Sequence, residues 1–448
     1  MSVDNLIRGP YRQRLLNYRR TAAAIRFANR KCPSSSLVFM QIRARNWTHG
    51  MQILPLLLAL FVFTALSRPA HASELTGAFE AACERTPDIP ALAARRAEIS
   101  AKADAADALL PGGPWTTLVH RTDALTNDRG TREYEAEFGV PIWLRGERGA
   151  ALAAALTEGE RIEAEIAAKR LEVAKRVRDA YWMVAEAREK LVIAERRRAT
   201  ASALAKSLRD QFQSGQAQLV DTKLADADAR DADAAIAGLR SELNQAKIAF
   251  EVLTGVAAPA AFREHDSRSA APSNHPRVVL RAVAIEKAKA DESLVWAVDR
   301  ERPEFSAFAN NNTDTNAEPN VTSLGVRLKI PFAYDAVNEP KRAAAAAEVV
   351  AANEELALAE REVSGDVAQA NARLDGARQQ LAALDARRQA LGSVVELTQS
   401  AQRAGQSELN DLIRARLQLF ESDLSRVTAR VAVQRARSDI NQALGIEP

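Results

Sequence analysis

The feature that most constrains this chain is an internal duplication. At an offset of 190 residues Pro141 meets Pro331, Gly215 meets Gly405, Leu219 meets Leu409, Asp221 meets Asp411 and Gly255 meets Gly445. The texture repeats around these landmarks: EFGVPI against RLKIPF, RGAALAAA against PKRAAAAA, and AFEVLTG against NQALG. Thr86-Pro87 pairs with His275-Pro276 after a slip of one residue. Self-similarity at a fixed period identifies a repeated structural unit before any element is assigned. The division it predicts is a leader over 1–72, a first repeat over 73–255, a linker over 256–274 rich in Ala, Pro and Ser, and a second repeat over 275–448.

Within each repeat a helical stretch comes first, 74–110 and 276–302, followed by two strand-like segments. In the first repeat the strands are 115–122 and 132–142, divided by the turn-rich TNDRG. The longest features follow Pro141 and Pro331: two stretches over 147–213 and 341–404 with almost no Pro and few Gly, built from Ala, Leu, Arg, Glu and Gln. These are strong helix formers, and at 1.5 Å per residue each rod runs on the order of 95–100 Å. Each rod ends at a glycine, Ser214-Gly215-Gln216 and Ala404-Gly405-Gln406, where Gly supplies the left-handed C-cap. Return helices over 218–254 and 408–444 then close two antiparallel hairpins. No compact domain holds such rods.

The net charge of +3 misleads, because residues 1–72 carry 11 Lys and Arg against the single acid Asp4. Residues 73–448 hold 50 basic and 57 acidic side chains, a balance of −7, which removes the basic surface a nucleic-acid partner needs. The leader contains an apolar run over 51–66, MQILPLLLALFVFTAL, preceded by Arg43 and Arg45 and followed by Ala70-His71-Ala72. That is the pattern of a cleavable export signal, with cleavage expected after Ala72 and Met40 as the expected start of translation. Cys32 lies in the leader and Cys83 stands alone afterwards, so no disulfide framework is expected. The histidines at 49, 71, 120, 265 and 275 have no metal-ligand spacing. There is no P-loop, GxSxG or zincin motif either. The expectation is a protein that is no enzyme and holds no cofactor or metal.

The second strand alternates cleanly, with Tyr134, Ala136, Phe138 and Val140 on one face and Glu133, Glu135 and Glu137 on the other. Its counterpart sets Leu324, Val326, Leu328 and Ile330 against Gly325, Arg327 and Lys329. A half-buried strand of a soluble sheet alternates in the same way; the export signal favours a transmembrane barrel strand, with the apolar residues on the lipid face. Four strands cannot close a membrane barrel, since an open edge leaves backbone groups unpaired in hydrocarbon. Several copies are required: three supply twelve strands, and strand number alone also admits a dimer.

The signal, the doubled strand-strand-long-helix units, Pro141 and Pro331, the glycine tips leading to Leu219-x-Asp221 and Leu409-x-Asp411, and the closing Leu253-x-Gly255 and Leu444-Gly445 resemble the TolC-like outer-membrane efflux factor family over residues 74–448. VPIWLRGERGA resembles its cobalt-zinc-cadmium, heavy-metal branch. The resemblance implies a mainly α chain that forms, as a homotrimer, a twelve-stranded barrel in the outer membrane on a periplasmic α-helical tunnel. Its implied partners are a periplasmic adaptor, an RND-type inner-membrane pump and outer-membrane lipid. It places Asp221 and Asp411 at the periplasmic entrance as acidic rings, although an Asp in the first turn of a helix is also stabilised by the helix dipole alone. Gly215, Gln216, Ala217, Leu219, Gly405, Gln406, Ser407 and Leu409 would be the docking tips, or simply tight turns. The cargo is open among metal ions, drugs and polypeptides. A periplasmic adaptor and a secreted coiled-coil structural protein are the rival readings.

Overall fold

The structure, a computed structural model, describes residues 74–448 apart from 128, 260–262, 265–271 and 314–318. The leader, its cleavage point, Met40 and His265 lie outside the described residues. The first repeat contains α1 (Glu74–Arg85), α2 (Asp88–Ala106), β1 (Trp115–Thr122), β2 (Arg132–Pro141), α3 (Glu147–Gln213) and α4 (Leu219–Thr254). The second contains α5 (Pro276–Ala297), β3 (Glu304–Thr313), β4 (Val321–Lys329), α6 (Asp335–Arg403) and α7 (Leu409–Ala443).

Two helix starts differ from the sequence expectation. The stretch 74–110 is two helices, because Pro87 offers no N–H and the chain turns at Thr86, whose N–H and hydroxyl both donate to Ala82 O. In the second half, among the described residues, a short 3-10 turn over Pro272–Asn274 precedes α5, which starts at Pro276. The second rod begins at Asp335 rather than 341: Pro340 is accommodated near the start of α6. Asn338 Nδ2 donates to Asp299 O there and ties the first turn to the α5–β3 connection.

The 67 residues of α3 and 69 of α6 make rods of ~100 Å at 1.5 Å per residue. Each is packed along its return helix, α3 on α4 and α6 on α7. Small side chains line the first seam: Ala174, Ala185, Ala194, Ala201 and Ala205 from α3, with Ala225, Ala232 and Ala246 from α4, all buried. Bulk is concentrated where α1 caps the α3–α4 hairpin. Leu75, Phe79 and Cys83 meet Val177, Tyr181 and Val184 and the Leu243 and Phe250 side chains of α4. Full burial of a side chain such as Phe79 or Phe250 contributes ~1.5–3 kcal/mol. The long α6 is different: its buried set is Asn338, Ala359, Val363, Ala370 and Leu374, while Val350, Leu358, Val394 and Leu397 stand exposed.

The strands form one antiparallel meander in the order β1-β2-β3-β4. Its central pairing joins the two halves, with Arg132 opposite Thr313 and Pro141 opposite Glu304. The outer β1–β2 turn is held by Asp123, whose carboxylate accepts from Arg129 N at 2.8 Å and Thr131 N at 3.0 Å. Among the described residues β1 and β4 each lack a strand partner on the outer side. No described helix is long and apolar enough to cross a membrane.

Candidate functional site

Register decides what each face of the sheet carries, since directly opposed residues of an antiparallel pair share a face. Phe138 lies opposite Thr116 and Ala307, Ala136 opposite Leu118 and Ala309, and Tyr134 opposite His120 and Asn311. Leu324 and Val326 extend these rows on β4. This is the predicted apolar face, and Tyr134, Phe138, Leu324, Val326, Leu328 and Ile330 are exposed on it, with Val140 half-buried. The exposed side of the sheet is thus its greasy side. On that face the His120 ring stacks on Tyr134 at 4.4 Å.

The opposite face is the polar one, with Glu137 buried on it while Arg121, Arg327 and Lys329 stay exposed. Glu137 is buried, accepts from Ser306 Oγ at 2.5 Å and pairs with Arg327, which also reaches Glu135 at 3.3 Å. Glu133 pairs with Arg121 at 2.5 Å and accepts from Asn310 Nδ2 at 3.0 Å. Lys329 approaches Glu304 and Glu301 at 3.6 and 3.8 Å. The expected mixture of Glu133, Glu135 and Glu137 with Arg327 and Lys329 is therefore a set of cross-strand pairs. On the same face the Trp115 ring lies over Gly139 and the Phe308 ring over Gly325, filling space where a Cβ would collide.

At the corner between sheet and rod, Glu147 opens α3 fully buried. It accepts from Leu144 N at 3.0 Å and from Arg302 Nε at 2.8 Å, so a residue of the second half fixes the start of the first rod. The guanidinium of Arg302 also lies 5.5 Å from the Trp143 ring. Sequence reasoning missed this clamp, whose only local signal is a charged residue inside WLRGER.

At the far end the two hairpin tips share one geometry. Gly215 (φ 76°) and Gly405 (φ 73°) occupy the left-handed region. Gln216 N donates to Gln211 O and Gln406 N to Ala401 O, both at 2.8 Å, while Gly215 N and Gly405 N donate to Phe212 O and Gln402 O. These are paired Schellman caps that satisfy the last carbonyls of each rod. Asp221 and Asp411 sit at the third position of α4 and α7, where an acidic side chain complements the helix dipole. Ser407 Oγ donates to Asp411 Oδ2 at 3.3 Å.

The tips differ in what they present. Gly215, Gln216, Leu219, Gly405 and Gln406 are exposed, and Ala217 and Ser407 are half-buried. Leu409 is buried among Ala205, Leu208 and Ala225 of the first hairpin, so its side chain is not exposed at the tip. Its counterpart Leu219 points to solvent.

Midway along the rods, the segment expected to be a plain linker carries a structural anchor. Glu264 accepts from Arg178 Nε and Nη2 at 3.0 and 2.7 Å, from Asn441 Nδ2 at 3.0 Å and from Ser438 Oγ. Arg178 also donates to Gln442 Oε1 at 2.6 Å and Ile446 O at 2.9 Å. Arg170 bridges Glu80 and Glu447, each at 2.7 Å, and those hydrogen bonds hold its guanidinium above the usual range. Burial pushes the Tyr181 hydroxyl up to about 12 and the Cys83 thiol up to about 11. His275 caps α5, its Nδ1 accepting from Arg277 N at 3.1 Å, and burial, reinforced by Arg277, lowers it to about 4. Among the described residues no group of three or more His, Cys, Asp or Glu side chains is placed to hold a metal ion.

The model of the outer membrane efflux protein family matches residues 78–256 and 270–446. The cobalt-zinc-cadmium resistance protein CzcC of Cupriavidus metallidurans is 26% identical over 235 residues, which are 50% of this chain and 55% of that relative. The match thus spans about half the length of the curated relative. Among solved structures, the CusC channel aligns with a TM-score of 0.68 at 16% identity, over 85% of this chain and 96% of that one. VceC of Vibrio cholerae aligns with a TM-score of 0.65 at 16% identity, over 83% and 96%. The Campylobacter jejuni CmeC outer membrane channel gives 0.63 at 13% identity, over 83% and 85%. With its family model matched across both halves, this chain belongs to the outer membrane efflux protein family and has the fold of outer-membrane channels.

Proposed function

We propose that three copies of this chain close into a twelve-stranded barrel continuous with a periplasmic helical tunnel, and that the assembly is a passive exit duct without catalytic activity. The observation that carries this reading is the sheet itself: an exposed apolar face, an opposite face of cross-strand charge pairs, and strands β1 and β4 that among the described residues have no partner on their outer edges. An open edge is not tolerated in hydrocarbon, and pairing β1 of one copy with β4 of the next removes it. The bare length of α6, with Val350, Leu358, Val394 and Leu397 exposed, supports the same closure in the tunnel.

In this proposal the cargo is delivered by an inner-membrane pump of the RND type through a periplasmic adaptor, which meets Gly215, Gln216, Ala217, Leu219, Gly405, Gln406 and Ser407 at the tips. Asp221 and Asp411 form acidic rings at the entrance that favour cations. Similarity to a cobalt-zinc-cadmium resistance protein supports heavy-metal cations as the cargo. The test is direct. Outer-membrane extraction, cross-linking and planar-bilayer recording should give a trimer with a defined conductance, and D221A/D411A should change its cation preference. A water-soluble monomer with no lipid-embedded sheet would refute the duct; unchanged conductance and selectivity in D221A/D411A would remove the entrance role alone.

A further inference from the structure

We infer that Arg327 sets the charge selectivity of the barrel lumen: its guanidinium is the shared counter-ion of Glu135 and Glu137 and holds the wall near neutrality, so that charge selection falls to the entrance. The inference rests on the trimeric barrel proposed above, in which the charged face of the sheet lines the lumen.

Three strands build the arrangement. On this face Glu137 lies opposite Phe308 and Phe308 opposite Gly325, while Arg327 lies one step along β4, opposite Ser306. Arg327 and the two glutamates stand on strands separated by β3, ~9.5 Å apart, so no ordinary cross-strand pair joins them. The arginine crosses β3 over the Phe308 ring, its guanidinium carbon 5.0 Å from the ring centre. It ends on one oxygen of Glu137 and, at 3.3 Å, on Glu135. Ser306 Oγ donates to the other Glu137 oxygen at 2.5 Å. Gly325 makes the room: a Cβ there would meet the Phe308 ring at 2.4 Å, so the ring lies over the glycine and the guanidinium over the ring.

Exposure orders the charges as an ion in the lumen would meet them. The Arg327 side chain is 50% exposed, that of Glu135 16% and that of Glu137 6%, so the cation stands in front and the carboxylates behind it. Glu133 has Arg121 and Glu304 has Lys329 as separate partners. Two carboxylates share the remaining arginine, which leaves the strands with one uncompensated negative charge per chain on this face. Without Arg327 that deficit doubles, and a ring of three copies multiplies it around one lumen. Arginine suits the place because its planar fork serves two acceptors and also stacks on an aromatic face.

The experiment reads the lumen potential at T117C, since Thr117 is exposed on this face, opposite Glu137 and diagonal to Glu135. The full chain carrying C32S is reconstituted in phosphatidylethanolamine–phosphatidylglycerol vesicles at ~10 mM salt, where the screening length is ~30 Å. Reaction rates with trimethylammonioethyl and sulfonatoethyl methanethiosulfonate, each normalised to a small free thiol, give a cation-to-anion ratio. Cys83 is buried with its thiol pushed up to about 11, so it stays unmodified in the folded protein. A unit charge at the diagonal spacing of ~7–8 Å changes that ratio about fourfold for probes of opposite sign. The ratio should rise about fourfold in R327Q, fall about fourfold in E135Q, and return to within about twofold of the parent in E135Q/R327Q. E135Q keeps the Arg327–Glu137 pair, so it tests the inference even where R327Q does not assemble. Unchanged ratios in the single variants overturn the inference. So does an equal rise in R327Q and E135Q/R327Q, which would trace the effect to altered sheet geometry rather than charge. L324C, on the apolar face, should react with neither reagent; if it reacts as fast as T117C, the membrane barrel beneath the inference fails.

Discussion

Removing the Glu264 carboxylate should loosen the middle of the molecule more than any other single polar change described above. Glu264 receives two hydrogen bonds from Arg178, one from Asn441 and one from Ser438, and both members of the ion pair are buried. In E264A the Arg178 guanidinium keeps Gln442 Oε1 and Ile446 O but loses its counter-charge. Breaking a buried pair by deleting one partner costs ~3–5 kcal/mol. With ~2.1 cal/mol/K of unfolding entropy per residue, about 375 residues respond at ~0.8 kcal/mol/K, so the apparent Tm should fall by ~4–6 °C. Calorimetry of the detergent-solubilised protein at one fixed scan rate measures this, because large assemblies unfold irreversibly and their Tm depends on the rate. R178M/E264L should recover at least half of the loss, since an apolar replacement of both partners leaves no uncompensated charge. A single variant within ~1 °C of the parent, or a double variant as unstable as E264A, would show that the pair is ornament rather than anchor.

Three further outcomes are expected. L409A should cost ~2–5 kcal/mol locally and raise amide exchange at both tips, because Leu409 is buried on the first hairpin, whereas L219A should leave exchange unchanged. G215A and G405A should each cost ~1 kcal/mol or more, read as faster exchange in the last turns of α3 and α6, with G215N and G405N milder because Asn tolerates the left-handed conformation. His275 is held below its ordinary value by burial, so its neutral form favours the folded state: its contribution is fully present above pH ~6.5 and is lost as pH falls towards about 4. H275N keeps a capping acceptor for Arg277 N and should flatten stability across that window; a parent and variant with the same pH slope would exclude His275 as the cause.

Much of this molecule is legible in one dimension because its physics is local. Helix propensity over 67 and 69 residues, the positive-φ glycines at 215 and 405, and the period-two alternation around Tyr134 and Leu324 act between neighbours in the chain. They therefore appear in the sequence, as does the duplication that orders them. The residues that tie the object together act across 86 to 277 positions, as in Arg178 with Glu264, Arg302 with Glu147, and Arg170 with Glu447, and no local pattern encodes such distances.

Duplication also hides as much as it reveals, because two similar halves suggest two similar roles. Tertiary packing breaks that symmetry: α1 caps only the first hairpin, Leu409 turns inward where Leu219 turns out, and Leu144 is buried where Tyr334 is bare. By itself the sequence determined the rods, the strands, the two tips and the sidedness of the sheet, since each follows from neighbouring residues and period. Only the tertiary structure decided that β2 pairs with β3 across the halves, which tip residue is exposed and which buried, and which charges are clasped in the interior. Those outcomes depend on which surfaces meet in space, and burial is a property of the meeting rather than of either surface alone.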